Sequence, residues 1–129
     1  ICLTLGHGGQ GRMEMTLFSG GGEETRLVFD AQAGEMRLER ERSTLLDHID
    51  VTTLVQPVPP RADGKTSLQI FLDGSIVEIC ADHAVMLSGR VYPSSEAACR
   101  HAVKVVGGMR ILEAEAWRPE TIFPAGDGE

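Results

Sequence analysis

Residues 67–80 constrain the fold more than any other part of the chain. Two β-prone runs, Ser67-Leu68-Gln69-Ile70-Phe71-Leu72 and Ser75-Ile76-Val77-Glu78-Ile79-Cys80, flank Asp73-Gly74. Both residues tolerate positive φ, so the pair is a strong hairpin signal. With Asp73 and Gly74 as the loop of a type I′ turn, Leu72 pairs with Ser75, Ile70 with Val77 and Leu68 with Ile79. Strand side chains alternate between faces. One face therefore carries Leu68, Ile70, Leu72, Val77 and Ile79; the other carries Ser67, Gln69, Phe71, Ile76, Glu78 and Cys80. A lone hairpin is marginal in water, so further strands must cover the apolar face.

Those strands are visible as short period-two segments. Met13, Met15 and Leu17 alternate with Glu14 and Thr16, Leu27 and Phe29 with Arg26, Val28 and Asp30, and Met36 and Leu38 with Arg37 and Glu39. Gly20-Gly21-Gly22 and Asp30–Gly34 supply turns. Val51 to Val55 is β-prone, whereas Gln56 to Pro60 is a loop or an edge, because proline cannot donate to a ladder. Asp63-Gly64 marks a turn. Val85–Val91 follows the hairpin through Asp82-His83, a register that places Val85 and Leu87 on the Phe71 face. Val103–Val106 and Met109–Trp117 complete the set around Gly107-Gly108. Regular strands with turns between them and no long amphipathic helix predict an all-β sandwich or barrel. The domain is expected over residues 1–118, with a disordered tail over 119–129.

The chain has 129 residues, 42% hydrophobic and 24% charged, which suits one domain with a core. Its net charge of -7 repels phosphate backbones, so nucleic acid is not an expected partner. No apolar run approaches the roughly 20 residues that span a bilayer, so a membrane is not expected either. The chain opens on Ile1 rather than Met, which fits a fragment or a processed product. Cys2, Cys80 and Cys99 are an odd set without metal or redox spacing, read as half-buried thiols. Composition and motifs leave the cellular location undetermined.

No catalytic constellation emerges. Gly6-His7-Gly8-Gly9-Gln10-Gly11 precedes a strand pattern rather than a helix and has no lysine nearby, so it reads as a flexible turn rather than a phosphate loop. His7, His48, His83 and His101 lack ligand spacing, and no metal or other cofactor is expected. Asp73 and Glu78 are the one conceivable carboxylate pair for glycoside chemistry, which needs two carboxyls about 5–9 Å apart in a cleft. A hairpin tip and a strand flank form no cleft. Asp73 reads as a turn former, and Glu78 as the partner of a nearby Arg, Lys or backbone amide.

The segment from Ser67 to Ile79, with Phe71, Asp73, Ser75 and Glu78 as its core, resembles the "L-x-I-F-x-D-x-S-x-V-E-x-F" signature of the C-terminal module of glycoside hydrolase family 32, the invertase, levanase, inulinase and β-fructosidase family. Arg90-Val91-Tyr92-Pro93 is similar to its "R-I-Y-P". Glu23 to Asp30 is similar to its "E-E-T-x-I-x-Y-D", residues 36–43 to its "L-x-x-D-R-x-x-S", and Ile111 to Trp117 to its "L-x-x-L-x-x-W". Cys80 stands where a Phe is usual, Gly74 where Arg or Lys is common, and Ser88-Gly89-Arg90 replaces "T-S-R". The resemblance implies a jelly-roll, concanavalin A-like sandwich of two antiparallel sheets. It implies a module that follows a catalytic β-propeller carrying the nucleophile, stabiliser and acid/base motifs, none of which occurs in this chain. No catalytic residue carries over; Phe71, Asp73, Ser75, Glu78, Arg90, Tyr92 and Pro93 carry over as structural signature. The implied partner is the propeller. A second copy of the chain, drawn by an apolar outer face, and a carbohydrate held as by a stand-alone lectin-like module are the other partners considered. With aromatic residues at 5%, the structural role leads.

Overall fold

The computed structural model describes residues 1–95, 97, 98 and 100–115. Within them the chain forms ten strands: β1 (Cys2–Gly6), β2 (Arg12–Gly20), β3 (Glu23–Asp30), β4 (Glu35–Glu39), β5 (Leu54–Pro57), β6 (Lys65–Asp73), β7 (Ile76–Ala81), β8 (Val85–Arg90), β9 (Arg100–Val106) and β10 (Arg110–Glu115). They make two five-stranded antiparallel sheets, sheet A in the order β10-β1-β6-β7-β8 and sheet B in the order β5-β4-β3-β2-β9. The sheets pack face to face on Leu3, Leu5, Met13, Met15, Leu17, Leu27, Phe29, Leu38, Leu68, Ile70, Val77 and Ile79, all at most 2% exposed. This is the expected two-sheet β-sandwich.

The inward face of the β6–β7 hairpin is the face expected from the pattern, but its pairing is shifted. Leu72 pairs with Val77, Ile70 with Ile79 and Leu68 with Ala81, leaving Gly74-Ser75 as the loop in place of Asp73-Gly74. Gly74 has φ of 61°, and Ser75 is not in the positive region. That is the pattern of type II′, which wants glycine first, rather than type I′. The shift spans two residues, so both faces survive it.

Three other expectations are corrected. Asp82 to Ala84 form a three-residue connection, closed by Ala84 N–H donating to the Ala81 carbonyl at 3.0 Å. The extra residue reverses the following strand, so Leu87 pairs with Ile79 and Val85 with Ala81 on the core side, and Met86 takes the outer face. Gly6, the first residue of the stretch read as a flexible turn, instead ends a central strand, Cys2–Gly6, between β10 and β6. The strand expected at 51–55 begins at Leu54 and runs into Pro57, on the edge of sheet B where a missing N–H is tolerated.

The expected final strands are present as β9 and β10, but they lie in different sheets, so Gly107-Gly108 turns a corner between layers. Cys2 and Cys80 are half-buried free thiols. Cys99, Trp117 and the tail expected over 119–129 lie outside the described residues. Among the described residues no helix is long and apolar enough to cross a membrane.

Candidate functional site

Chain direction separates the sandwich into two ends. Strands β2, β4, β6, β8 and β10 run toward one end, which carries the 21–22, 40–53, 74–75 and 91–98 connections; the other holds 7–11, 31–34, 58–64, 82–84 and 107–109. Glu23, Arg40, Ser43, Phe71, Asp73, Ser75, Arg90, Tyr92 and Pro93 all stand at or next to the first, or loop, end.

Two buried charges organise that end. Glu23, 3% exposed at the start of β3, accepts from the Ser94 N–H at 2.9 Å, the Ser94 hydroxyl at 2.5 Å, the Ser95 N–H at 2.8 Å and the Leu45 N–H at 2.7 Å. Burial pushes its carboxyl upward, but these donors overcome that and hold its pKa down to about 2. Arg40, 6% exposed just beyond β4, donates to the Thr52 carbonyl at 2.9 Å and the Arg90 carbonyl at 3.0 Å. Ser43 folds back with its hydroxyl on the Arg40 carbonyl at 2.7 Å. Loop backbone has no ladder to satisfy it. One carboxylate and one guanidinium take over that task and tie 40–53 to 91–95. Neither role was assigned by sequence reasoning, although Glu23 and Arg40 lie in the motifs quoted for the resemblance. Nothing in their local pattern distinguishes a buried clamp from a solvated charge.

The remaining signature residues divide by task. The Ser75 carbonyl accepts from the Val91 N–H at 2.8 Å and its hydroxyl from Arg90 at 3.3 Å, which joins the hairpin tip to the end of β8. Asp73 is exposed and pairs with Ile76 beside the turn. Phe71 is 38% exposed on the outer face of sheet A, opposite Glu78. Tyr92, also 38% exposed, leads into half-buried Pro93.

Glu78 faces an open groove of about 600 Å³ along β8, with Arg40, Asp50, Ile76, Arg90 and Tyr92 also in its lining. The structure brings Glu78 together with Arg90 and Tyr92 there; Asp73 is not in the lining. The expected salt bridge or amide cap of Glu78 is not present among the described residues. Asp50 accepts from the Thr52 N–H at 3.0 Å and hydroxyl at 2.7 Å, and the hydroxyl leads in lowering its pKa. Gly89 lets β8 close on sheet B: a Cβ there would lie 2.7 Å from both Leu38 and Leu54. Among the described residues no group of three or more His, Cys, Asp or Glu is placed to hold a metal ion.

Comparison with solved structures returns the same architecture. Exo-inulinase from Aspergillus awamori superposes with a TM-score of 0.67 at 21% identity, over 84% of this chain and 22% of that one. The β-fructofuranosidase of Aspergillus kawachii gives 0.69 at 15%, over 84% and 21%. Galectin LEC-6 of Caenorhabditis elegans gives 0.55 at 12%, over 85% and 75%. At such identities the likeness is one of fold, and the chain spans about a fifth of the length of the two fungal enzymes. No curated protein sequence matches. The family model described as "Glycosyl hydrolases family 32 C terminal" matches residues 2–118, which takes in β1 through β10 and every motif at the loop end. The match covers nearly all of the chain, and the chain belongs to the C-terminal domain family of the family 32 glycosyl hydrolases.

Proposed function

We propose that the chain is the non-catalytic C-terminal module of a β-fructosidase-type glycoside hydrolase, and that its loop end meets and steadies the catalytic propeller. One observation carries this reading: the signature residues gather where Glu23 and Arg40 hold irregular loops in a set shape. Burying charge is a costly way to gain stability, and a hydrophobic replacement often does as well. Its return here is a preorganised surface, which lowers the ordering cost of association. Leu45 and Leu46, 64% and 53% exposed, stand on the loop that Glu23 holds through the Leu45 amide. Strand β1 runs from the loop end, so a domain on its N-terminal side, the order the resemblance implies, joins the module there.

The geometry favours a structural role over chemistry. A glycosidase needs one carboxyl kept protonated as general acid. Asp50, which shares the groove with Glu78, has its pKa lowered by Thr52. Purified chain is expected to release no reducing sugar from sucrose, inulin or levan above a buffer blank. Turnover that disappears in Glu78→Gln would overturn the non-catalytic reading. For docking, the chain should raise the thermal midpoint of a family 32 propeller produced without its own module, and Leu45→Asp with Leu46→Asp should abolish the rise. Sedimentation at rising concentration tests whether the free chain turns the same surface toward a second copy.

A further inference from the structure

We infer that Asp73-Gly74, at the tip of the β6–β7 hairpin, is a self-modification site at which the chain forms a succinimide and then an isoaspartyl linkage. The Gly74 amide nitrogen attacks Asp73 Cγ. The N–Cγ bond forms, and the amide proton leaves with the carboxyl hydroxyl as water. Water then adds back at one of the two ring carbonyls. Opening at Cγ restores aspartate. Opening at the main-chain carbonyl leaves an isoaspartyl residue, whose chain runs through Cβ and Cγ and whose α-carboxylate stands free. The water consumed equals the water released, and no oxidant, reductant or cofactor enters.

The reaction needs a free carboxyl, a free amide and room for the two to meet. A side chain on the residue after Asp obstructs the attack, so Asp-Gly pairs lead. The described residues hold two such pairs, and the fold treats them oppositely. The Asp63 carboxyl accepts from the Lys65 N–H at 3.1 Å and the Arg61 guanidinium at 2.5 Å. The Gly64 N–H donates to the Arg61 carbonyl at 3.2 Å, and the Gly64 carbonyl accepts the His7 and Gly8 amides at 2.9 and 3.0 Å. A Cβ at Gly64 would lie 3.1 Å from Gly8. Those bonds and that contact hold the pair away from attack. Asp73 and Gly74 are both exposed, and a Cβ at Gly74 would meet nothing within 4 Å. Among the described residues neither the Asp73 carboxyl nor the Gly74 N–H has a hydrogen-bond partner. Gly74 also stands where the resembled signature commonly has Arg or Lys, so the site belongs to this chain rather than to the signature. The new linkage adds one backbone atom just before Ser75, which accepts from the Val91 N–H at 2.8 Å and from Arg90 at 3.3 Å. Lengthening the tip unlatches Ser75 from the end of β8. The exposed α-carboxylate is then a substrate for a carboxyl methyltransferase of the isoaspartyl-repair class, with S-adenosylmethionine as methyl donor.

The site requires only the free chain, so its failure and that of propeller docking are separate results. The test ages the full chain for several weeks in mildly acidic buffer at body temperature, beside the same chain in concentrated urea. Trypsin releases the two pairs separately, in Ala62–Lys65 and Thr66–Arg90. Electron-transfer fragmentation then places the isoaspartyl residue, with an unaged digest as blank. In the folded chain residue 73 should convert at least about tenfold faster than residue 63, whose carboxyl is held by charge-assisted bonds. In urea the two rates should converge. The aged Thr66–Arg90 peptide should take up labelled methyl from S-adenosylmethionine, and its modified chain should exchange the Val91 amide faster than the unmodified chain. Arg61→Ala should raise conversion at residue 63 and leave residue 73 unchanged. Asp73→Glu should abolish conversion at 73, because its ring would need six members. No isoaspartate at 73 in the folded chain, or conversion at 63 as fast as at 73, overturns the inference. Val91 exchange unchanged by the modification overturns the unlatching of Ser75.

Discussion

The two ends of the sandwich are closed by different physics. At the turn end the backbone closes on itself. The His7 and Gly8 amides donate to the Gly64 carbonyl at 2.9 and 3.0 Å, Ala31 N–H to the Gly11 carbonyl at 2.9 Å, and Val58 N–H to the Gly34 carbonyl at 2.8 Å. The conformations this needs come from positive φ, at Gly64 and also at Asp82 and His83, where non-glycine residues adopt it. At the loop end the 40–53 and 91–98 connections are long, and buried side-chain charges do there what backbone geometry does elsewhere. Turn chemistry accepts several sequences, whereas a carboxylate serving three amides accepts few. That is why the recognisable motifs gather at one end only.

The sheet faces differ in the same way. The outer face of sheet B is a lattice of ion pairs, with Glu14 meeting Arg12 at 2.5 Å and Arg26 at 2.8 Å, and Arg37 meeting Glu35 at 3.1 Å. Outer-face Val28, 1% exposed, pairs with Glu14 and Arg37 on the strands either side. The outer face of sheet A instead shows Phe71 and Met86, 38% and 56% exposed. The outer face of sheet B is thus mainly charged, whereas that of sheet A exposes large apolar side chains.

If the contrast between ends holds, the largest loss of stability follows Glu23→Ala. It leaves three amides and a hydroxyl without their acceptor, and about 3–4 kcal/mol should disappear in urea unfolding. A loss under about 1 kcal/mol would mean that water replaces the clamp and the ends are alike. Arg40→Lys comes next, at about 2 kcal/mol, because an ammonium lacks the planar fork that reaches two carbonyls. Equal stability of variant and parent would assign the loop's order to packing instead.

Gly74→Val probes backbone geometry at the loop end. A Cβ at Gly74 meets nothing within 4 Å, so the expected cost of about 1–2 kcal/mol is strain at φ of 61° alone. Coincident thermal melts would contradict the turn. Smallest is Arg37→Ala on the ion-pair lattice, expected within about 0.5 kcal/mol; a larger loss would make the lattice structural.

Acid should act on both ends. Glu23 has its pKa lowered from 4.5 to about 2 in the folded chain, so the unfolded chain binds the extra proton between these values. Its stabilisation is complete above about pH 4.5 and is lost as pH falls toward 2. At the turn end, His7 accepts the Gly9 N–H through Nδ1 at 2.8 Å, and burial leads in lowering its pKa against the pull of Asp82 and Asp63. A base with a lowered pKa makes folding weaker as pH falls below its ordinary 6.5. The stability profile should therefore drop in two steps. Glu23→Gln should shrink the lower step, which Glu14 and Asp63 share, and His7→Gln the upper one, which half-buried His101 shares; a lower step unchanged in Glu23→Gln would show that other carboxylates set the acid limit.

The alternation of apolar residues determined which faces pair: Leu68, Ile70, Val77 and Ile79 are in the core although the hairpin turn lies one residue further along. Side-chain direction has period two, and a two-residue shift preserves it. The same arithmetic explains the misplaced Val85 and Leu87, since whether Ala84 belongs to loop or strand changes parity and no local residue decides it. For β1, the alternation of Ile1, Leu3 and Leu5 was present in the sequence, obscured by the glycines that follow. The resemblance located the motifs but not their work. Only the assembled sandwich puts Glu23 beside Ser94 and Arg40 beside Arg90, because pairs 71 and 50 residues apart have no local signal; they meet when the strands between them have folded. The choice of Gly74-Ser75 as the turn is tertiary for the same reason: the Val91 N–H and the Arg90 side chain bind Ser75 only once β8 has packed beside β7.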